Sequence, residues 1–197
     1  MRGSILLIGG SVQGDINGVV YRVNDRDEIV LVDDAWDRFA GANAGHRVLA
    51  REVLHHSLWD FVVDATTRKI YRQVLQRVRD GRSVAFRFRC DSPDRRRLLE
   101  MRIARCEDAT IEFSTSTIEE EARPHLAVLD TGIVHSKELV KACGWCGRIN
   151  VGHSWIEIEE ALGHLRLFEG PVPPMLSHGV CEKCYGNMAA ALVESPV

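Results

Sequence analysis

The chain has 197 residues, 45% of them hydrophobic and 27% charged, which suits a globular protein with a real core and excludes a disordered or collagen-like chain. A formal net charge of −3 gives no bulk attraction to nucleic acid or to an anionic membrane. No run approaches the ~18 apolar residues that span a bilayer.

The N-terminal segment, 1–18, is glycine-rich, but "GSILLIGGSVQGDING" lacks the spacing of a phosphate-binding loop. Its apolar run at 5–8 is cut off by Gly9 and Gly10 and is too short for a secretory signal core. A cytoplasmic location is therefore expected, where thiols stay reduced, so six cysteines need a reading other than disulfides.

Residues 19–23 alternate apolar and polar, "NDRDE" supplies turn residues, and 29–32 is a second apolar run; this predicts a hairpin. Asp33 or Asp34 caps a short helix carrying Trp36, Phe39 and Ala40 and ending near Gly41. Asp33, Asp34 and Asp37 are thus read as capping residues, with no catalytic role. The mixed stretch 46–62 predicts short helical turns, with Trp59 and Phe61 turned inward. The adjacent His55 and His56 are candidate haem ligands, although a surface or hydrogen-bonded role is the commoner one for such histidines.

From 66 to 79, Ile70, Tyr71, Val74, Leu75 and Val78 form a helical stripe opposite Arg and Gln. Asp64, Thr66 or Thr67 caps its start, and Asp80-Gly81 stops it. The period then changes to two, with Val84, Phe86 and Phe88 on one face, then Leu99, Met101 and Ile103 after an "SPD" turn, then "TIEFSTSTI". Strands at both ends with helices between them predict an α+β fold, an antiparallel sheet with helices on one face. Cys90 and Cys106 fall on strands and read as ordinary thiols.

The order of these elements, with "VNDRDEIVLVDDAWDRFA", "SLWDF" and long paired strands at the end, resembles a PAS sensor domain over 19–122. The resemblance implies a small ligand or cofactor held between sheet and helices, or dimerisation and signal relay. Trp36, Phe39, Trp59, Phe86 and Phe88 are the residues expected to line such a pocket. The cysteine phrase of the flavin photoreceptor branch is missing, so a photosensory flavin is not expected.

Residues 123–138 read as a linker or strap, and 139–197 as a small cysteine module. Cys143 and Cys146 form one C-x2-C pair, and Cys181 and Cys184 form another. A single such pair fits either a redox dithiol or half of a metal site. Two pairs favour the metal, because four thiolates complete a tetrahedron around zinc and leave no open position. A metal also offsets the small core of a segment under 60 residues. His178, three residues before Cys181, is an alternative ligand or a hydrogen-bond donor to a ligand sulfur, the second role being favoured. Trp145 and Trp155 are expected in the core of this module. "CGWCGRI", "SWIEIEEAL" and "SHGVCEKC" resemble the short cysteine tails that follow sensory modules in some bacterial signalling proteins, over 139–188.

Between 66 and 106 there are thirteen Lys or Arg against four acidic residues. Without interleaved aromatics or a recognition helix, this reads as solvated faces, with Arg95, Arg96 and Arg97 in an exposed hairpin turn, and not as a nucleic-acid surface. The combined expectation is a signal-sensing or relay protein with structural zinc, working through a protein partner, a homodimer or a small ligand. The alternatives are a redox or metal-dependent enzyme using the cysteine pairs, and a zinc-ribbon nucleic-acid-binding regulator.

Overall fold

A computed structural model describes residues 18–42, 48–130, 132–164 and 172–194. The N-terminal segment 1–17 and the stretch 165–171, with the start of the proline-rich loop, lie outside the described residues.

The first hairpin, β1 (Val20–Val23) and β2 (Ile29–Val32), is antiparallel. Its turn is organised by Asn24, whose side-chain oxygen accepts the N–H groups of Arg26 at 2.9 Å and Glu28 at 3.0 Å. Asp33 caps α1 (Asp34–Ala42) by accepting the Trp36 N–H at 3.0 Å, and its other oxygen accepts the Val20 N–H. Gly18, just before β1, has φ +82°, and a Cβ there would lie 2.2 Å from the Thr115 carbonyl oxygen. Only glycine fits that approach.

The short helix α2 (Ala50–Val53) and a 3₁₀ turn at Leu58–Asp60 lead into α3 (Ala65–Arg79), capped by Asp64, which accepts the Thr67 N–H at 2.7 Å. All five residues of the expected stripe on α3 are buried. Next come β3 (Val84–Arg89), β4 (Arg95–Arg105) and β5 (Ile111–Ala122). The five strands form one antiparallel sheet in the order β2-β1-β5-β4-β3. Tyr21, Phe113 and Ile103 stand side by side on its inner face, and α3 lays Tyr71 across them. Tyr21 stacks on Phe113 with centroids 4.5 Å apart, and Trp36 meets Tyr21 edge-on. The outer face is polar, with ion pairs such as Arg22–Glu112 and Arg102–Glu100.

Three local expectations need correction. Trp59 is half-buried, and the inward residue of its 3₁₀ turn is Leu58. The indole N–H needs a polar partner and finds the Asp27 carboxylate at 2.8 Å, with Arg72 over the ring. Phe86 and Phe88 are half-buried as well, because β3 is an edge strand. Arg95, Arg96 and Arg97 begin β4 and form no exposed turn; Arg97 is only 2% exposed and pairs with Glu120. His55 and His56 are both exposed, in keeping with the surface role expected to be the commoner one.

The strap after β5 is fastened. Leu126 and Val128 are buried against Ala142, Ile149, Ile158 and Ala161. The His135 ring nitrogens lie 2.9 Å from the Pro174 carbonyl and 2.7 Å from that of Asp130. The last part comprises β6 (Leu139–Cys143), β7 (Ile149–Val151), β8 (Ser154–Ile156), α4 (Ile158–His164), β9 (Met175–Gly179) and α5 (Glu182–Glu194). Its sheet runs β8-β7-β6-β9, with β6 and β9 parallel. Among the described residues no helix is long and apolar enough to cross a membrane.

Candidate metal centre

Parallel pairing of β6 with β9 places Cys143 opposite Gly179. Both strands therefore end at one edge, and each runs directly into a cysteine pair. The first pair closes a tight turn. The Cys143 N–H donates to the Arg148 carbonyl at 2.8 Å, and the Gly147 N–H donates to the Cys143 carbonyl at 2.9 Å. Gly147 sits at φ +71°, in the left-handed region where a side chain would be strained. The second pair sits at the start of α5, with Cys181 just before the helix and Cys184 in its first turn. A helix N-terminus favours thiolate there.

The four sulfurs all lie within 4.8 Å of one another. Cys146 Sγ and Cys181 Sγ are 3.8 Å apart, the edge of about 3.8 Å that a tetrahedron with Zn–S bonds of ~2.3 Å requires. All four cysteines are free thiols, Cys143 and Cys181 buried and the other two half-buried. Backbone amides turn toward the sulfurs, the Cys181 N–H to Cys143 Sγ and the Cys184 N–H to Cys181 Sγ, each at 3.4 Å.

Electrostatics point the same way. Hydrogen bonds from the Cys146 and Cys184 thiols push the Cys143 thiol far below the ordinary range. Hydrogen bonding to the Cys143 sulfur in turn pushes Cys146 up to about 12 and Cys184 higher still. Four sulfurs this close cannot all ionise beside one another, whereas a bound cation reverses that preference for every one of them. The set can hold a metal ion.

His178 lies in β9 opposite Ala142, outside the four-sulfur group. Burial lowers its pKa, partly offset by Cys143. It lines a cavity of about 40 Å³ shared with Cys143, Gly147, Arg89 and Asp91. That volume admits water but is far below the ~300 Å³ of small-molecule sites.

The expected pocket residues share one core cluster, Trp36 within it and Phe39, Trp59, Phe86 and Phe88 packed against it. Phe39 and Phe88 pack together against Cys90 and Leu99, with Phe86 next to Phe88. Trp36 lies with Tyr21, and Trp59 faces Asp27. Burial lifts the Cys90 thiol to about 12, which makes it inert; Cys106 lies beyond the end of β4, half-exposed.

One expectation is corrected and one feature was missed. Trp145, expected in a core of its own module, packs on Tyr71 of α3 and Phe86 of β3, in a core shared with the five-stranded sheet. Asp91 forms a buried junction, accepting from Arg89, from Arg123 at 2.8 Å and from the Arg97 N–H at 3.1 Å. Arg123 then reaches Glu159 of α4 at 2.6 Å, as does Arg96 at 2.7 Å. Much of the arginine excess thus joins parts of this chain to each other. The only advance sign was the unusual density of arginine near 89–97.

Among known proteins, no family model matches the chain and no curated protein is significantly similar to it.

Proposed function

We propose that this protein senses or relays a signal, with a PAS-like domain as the sensing body and a structural zinc centre fastening the cysteine module to it. The observation that carries the metal half is the convergence of two distant C-x2-C pairs on one group of four sulfurs within 4.8 Å of one another. Four soft thiolates suit zinc or iron, and zinc is the reading favoured here because such closed sites are typically structural. The sensory half is supported by element order and layering, two strands, helices, then three strands in one antiparallel sheet.

Relay through contacts is preferred over enzymatic chemistry. The cavity beside the sulfurs holds no more than water, and a four-thiolate site has no position for a substrate. The nucleic-acid reading loses ground because Arg89, Arg96, Arg97 and Arg123 are engaged within the chain. Output then passes through a protein partner or a second copy, with any small ligand lying between sheet and helices.

Elemental analysis and an absorption spectrum of the purified full chain test this. About one zinc per chain and a colourless protein are expected, and Cys184→Ser should lose the metal and unfold the C-terminal module. A metal-free protein with an intact fold and a reversible Cys143–Cys146 disulfide would replace the zinc centre with a dithiol.

A further inference from the structure

We infer that the first cysteine pair is a metal-gated plug: metal at the four cysteines keeps Trp145 seated between α3 and β3, and losing the metal withdraws it and opens that apolar cleft. The gate rests on the metal-centre reading above.

Trp145 stands between Cys143 and Cys146 in sequence, yet its ring belongs to the other domain. It is 8% exposed and lies parallel to Tyr71 of α3, with centroids 6.4 Å apart and planes 8° from parallel. It meets Phe86 of β3 edge-on at 5.8 Å. Its carbonyl accepts the N–H of Arg89, the last residue of β3, at 2.7 Å. The turn thus docks on the exposed edge of the sheet while its ring closes the gap between sheet and helix.

The same short turn carries two of the four sulfurs. Its closure depends on the Cys143–Arg148 and Gly147–Cys143 backbone bonds, and its placement against α5 depends on sulfur, through the Cys181 N–H to Cys143 Sγ. A metal ion cross-links the turn to the start of α5. Without the ion that cross-link is gone, and the turn is left to its own backbone bonds and the Cys181 N–H to Cys143 Sγ contact. The turn and α5 both rest on the sheet domain, since Trp145, Met188 and Leu192 share one core with Tyr71 and Phe113.

The surface beneath is suited to gating. β3 is an edge strand, and Phe86 and Phe88 are half-buried even with Trp145 seated. Withdrawing the indole exposes Tyr71 and Phe86 while leaving the Tyr21–Phe113 stack and the β1-β5-β4 ladder covered. Coupling of this kind is reciprocal, so disturbing the aromatic seat must weaken metal binding by the factor with which metal tightens the seat.

The test uses the full chain, zinc-loaded and chelator-stripped, with hydrogen exchange of residues 84–89, binding of an apolar dye, and zinc affinity by competition with a chromophoric chelator. Stripping should speed exchange across 84–89 and raise dye binding, with β1 and β5 unchanged. Phe86→Leu, which leaves all four sulfurs in place and keeps the position apolar, should lower zinc affinity about 5–150-fold, the ordinary range of coupling between sites. Trp145→Ala, if folded, should bind dye even when loaded. Unchanged exchange over 84–89 despite stoichiometric zinc, or unaltered affinity in Phe86→Leu, overturns the gate and leaves the metal centre standing. Loss of protection throughout, β1 and β5 included, also overturns it, because metal would then be holding the whole fold. Failure of the wild-type chain to bind zinc overturns both.

Discussion

Asp91→Asn isolates the charged junction between the sheet domain and the cysteine module. Asp91 is 9% exposed and Arg123 only 4%. The carboxylate accepts two side-chain bonds from Arg89, one from Arg123 and the Arg97 N–H. Asparagine keeps the shape but removes the charge and half of the acceptor capacity. Breaking one partner out of a buried pair costs about 3–5 kcal/mol, because the remaining charge is left uncompensated. Here Glu159 still holds Arg123 and Glu157 lies 3.6 Å from Arg89, so the low end, ~3 kcal/mol, is expected. In a chain of this length that lowers the melting temperature by roughly 6–12 °C. The assay is thermal and urea unfolding of the zinc-loaded chain, with coincidence of two probes checked first. Glu52→Gln is the control, since its pair with Arg51 is exposed and worth under ~0.5 kcal/mol. If Asp91→Asn shifts stability no more than Glu52→Gln, the junction contributes nothing and the two modules are held together by apolar contact alone.

Core substitutions should follow position in the sheet. Phe113→Ala, fully buried on a central strand between Tyr21 and Tyr71, should cost about 3–5 kcal/mol, and Phe88→Ala on the half-buried edge clearly less; equal losses in urea titrations would contradict the observed packing. The Glu159 carboxyl is pushed up by burial, but its own backbone N–H, the hydrogen bond from Arg96 and the charge of Arg123 more than offset this, leaving the pKa lowered. A depressed carboxyl contributes stability above its unfolded value of ~4.3, lost as pH falls through the folded value. Glu159→Gln should therefore lower stability in urea titrations at pH 7, by under ~1 kcal/mol for a group 38% exposed, and the gap to wild type should shrink as the pH is lowered and the carboxyl takes up its proton. A gap that stays constant as the pH falls would show that its contribution is not ionic.

The sequence by itself determined the local elements. The stripe from Ile70 to Val78, the first hairpin and the alternation at Leu99, Met101 and Ile103 are short-range periodicities that any folded context must respect, and they appear in place. The caps at Asp33 and Asp64 are equally local, each side chain accepting an amide three residues on. The spacing within each cysteine pair was legible because two thiolates two residues apart can meet one ion. What only the tertiary structure decided involves partners far apart in the chain. Parallel pairing of β6 with β9 brings the two cysteine pairs to one edge, and no local pattern specifies which strands pair. The edge position of β3 left Phe86 and Phe88 half-covered, although their alternation reads like that of a buried strand. Arg97, Asp91 and Arg123 look like surface charges in sequence, and they are buried because their counter-charges arrive from other strands and from α4. Trp145 fits a small core wherever it lies; which core it joins depended on how the cysteine turn docks against Arg89. Periodicity fixes the face a residue presents, but burial depends on what long-range pairing sets against that face.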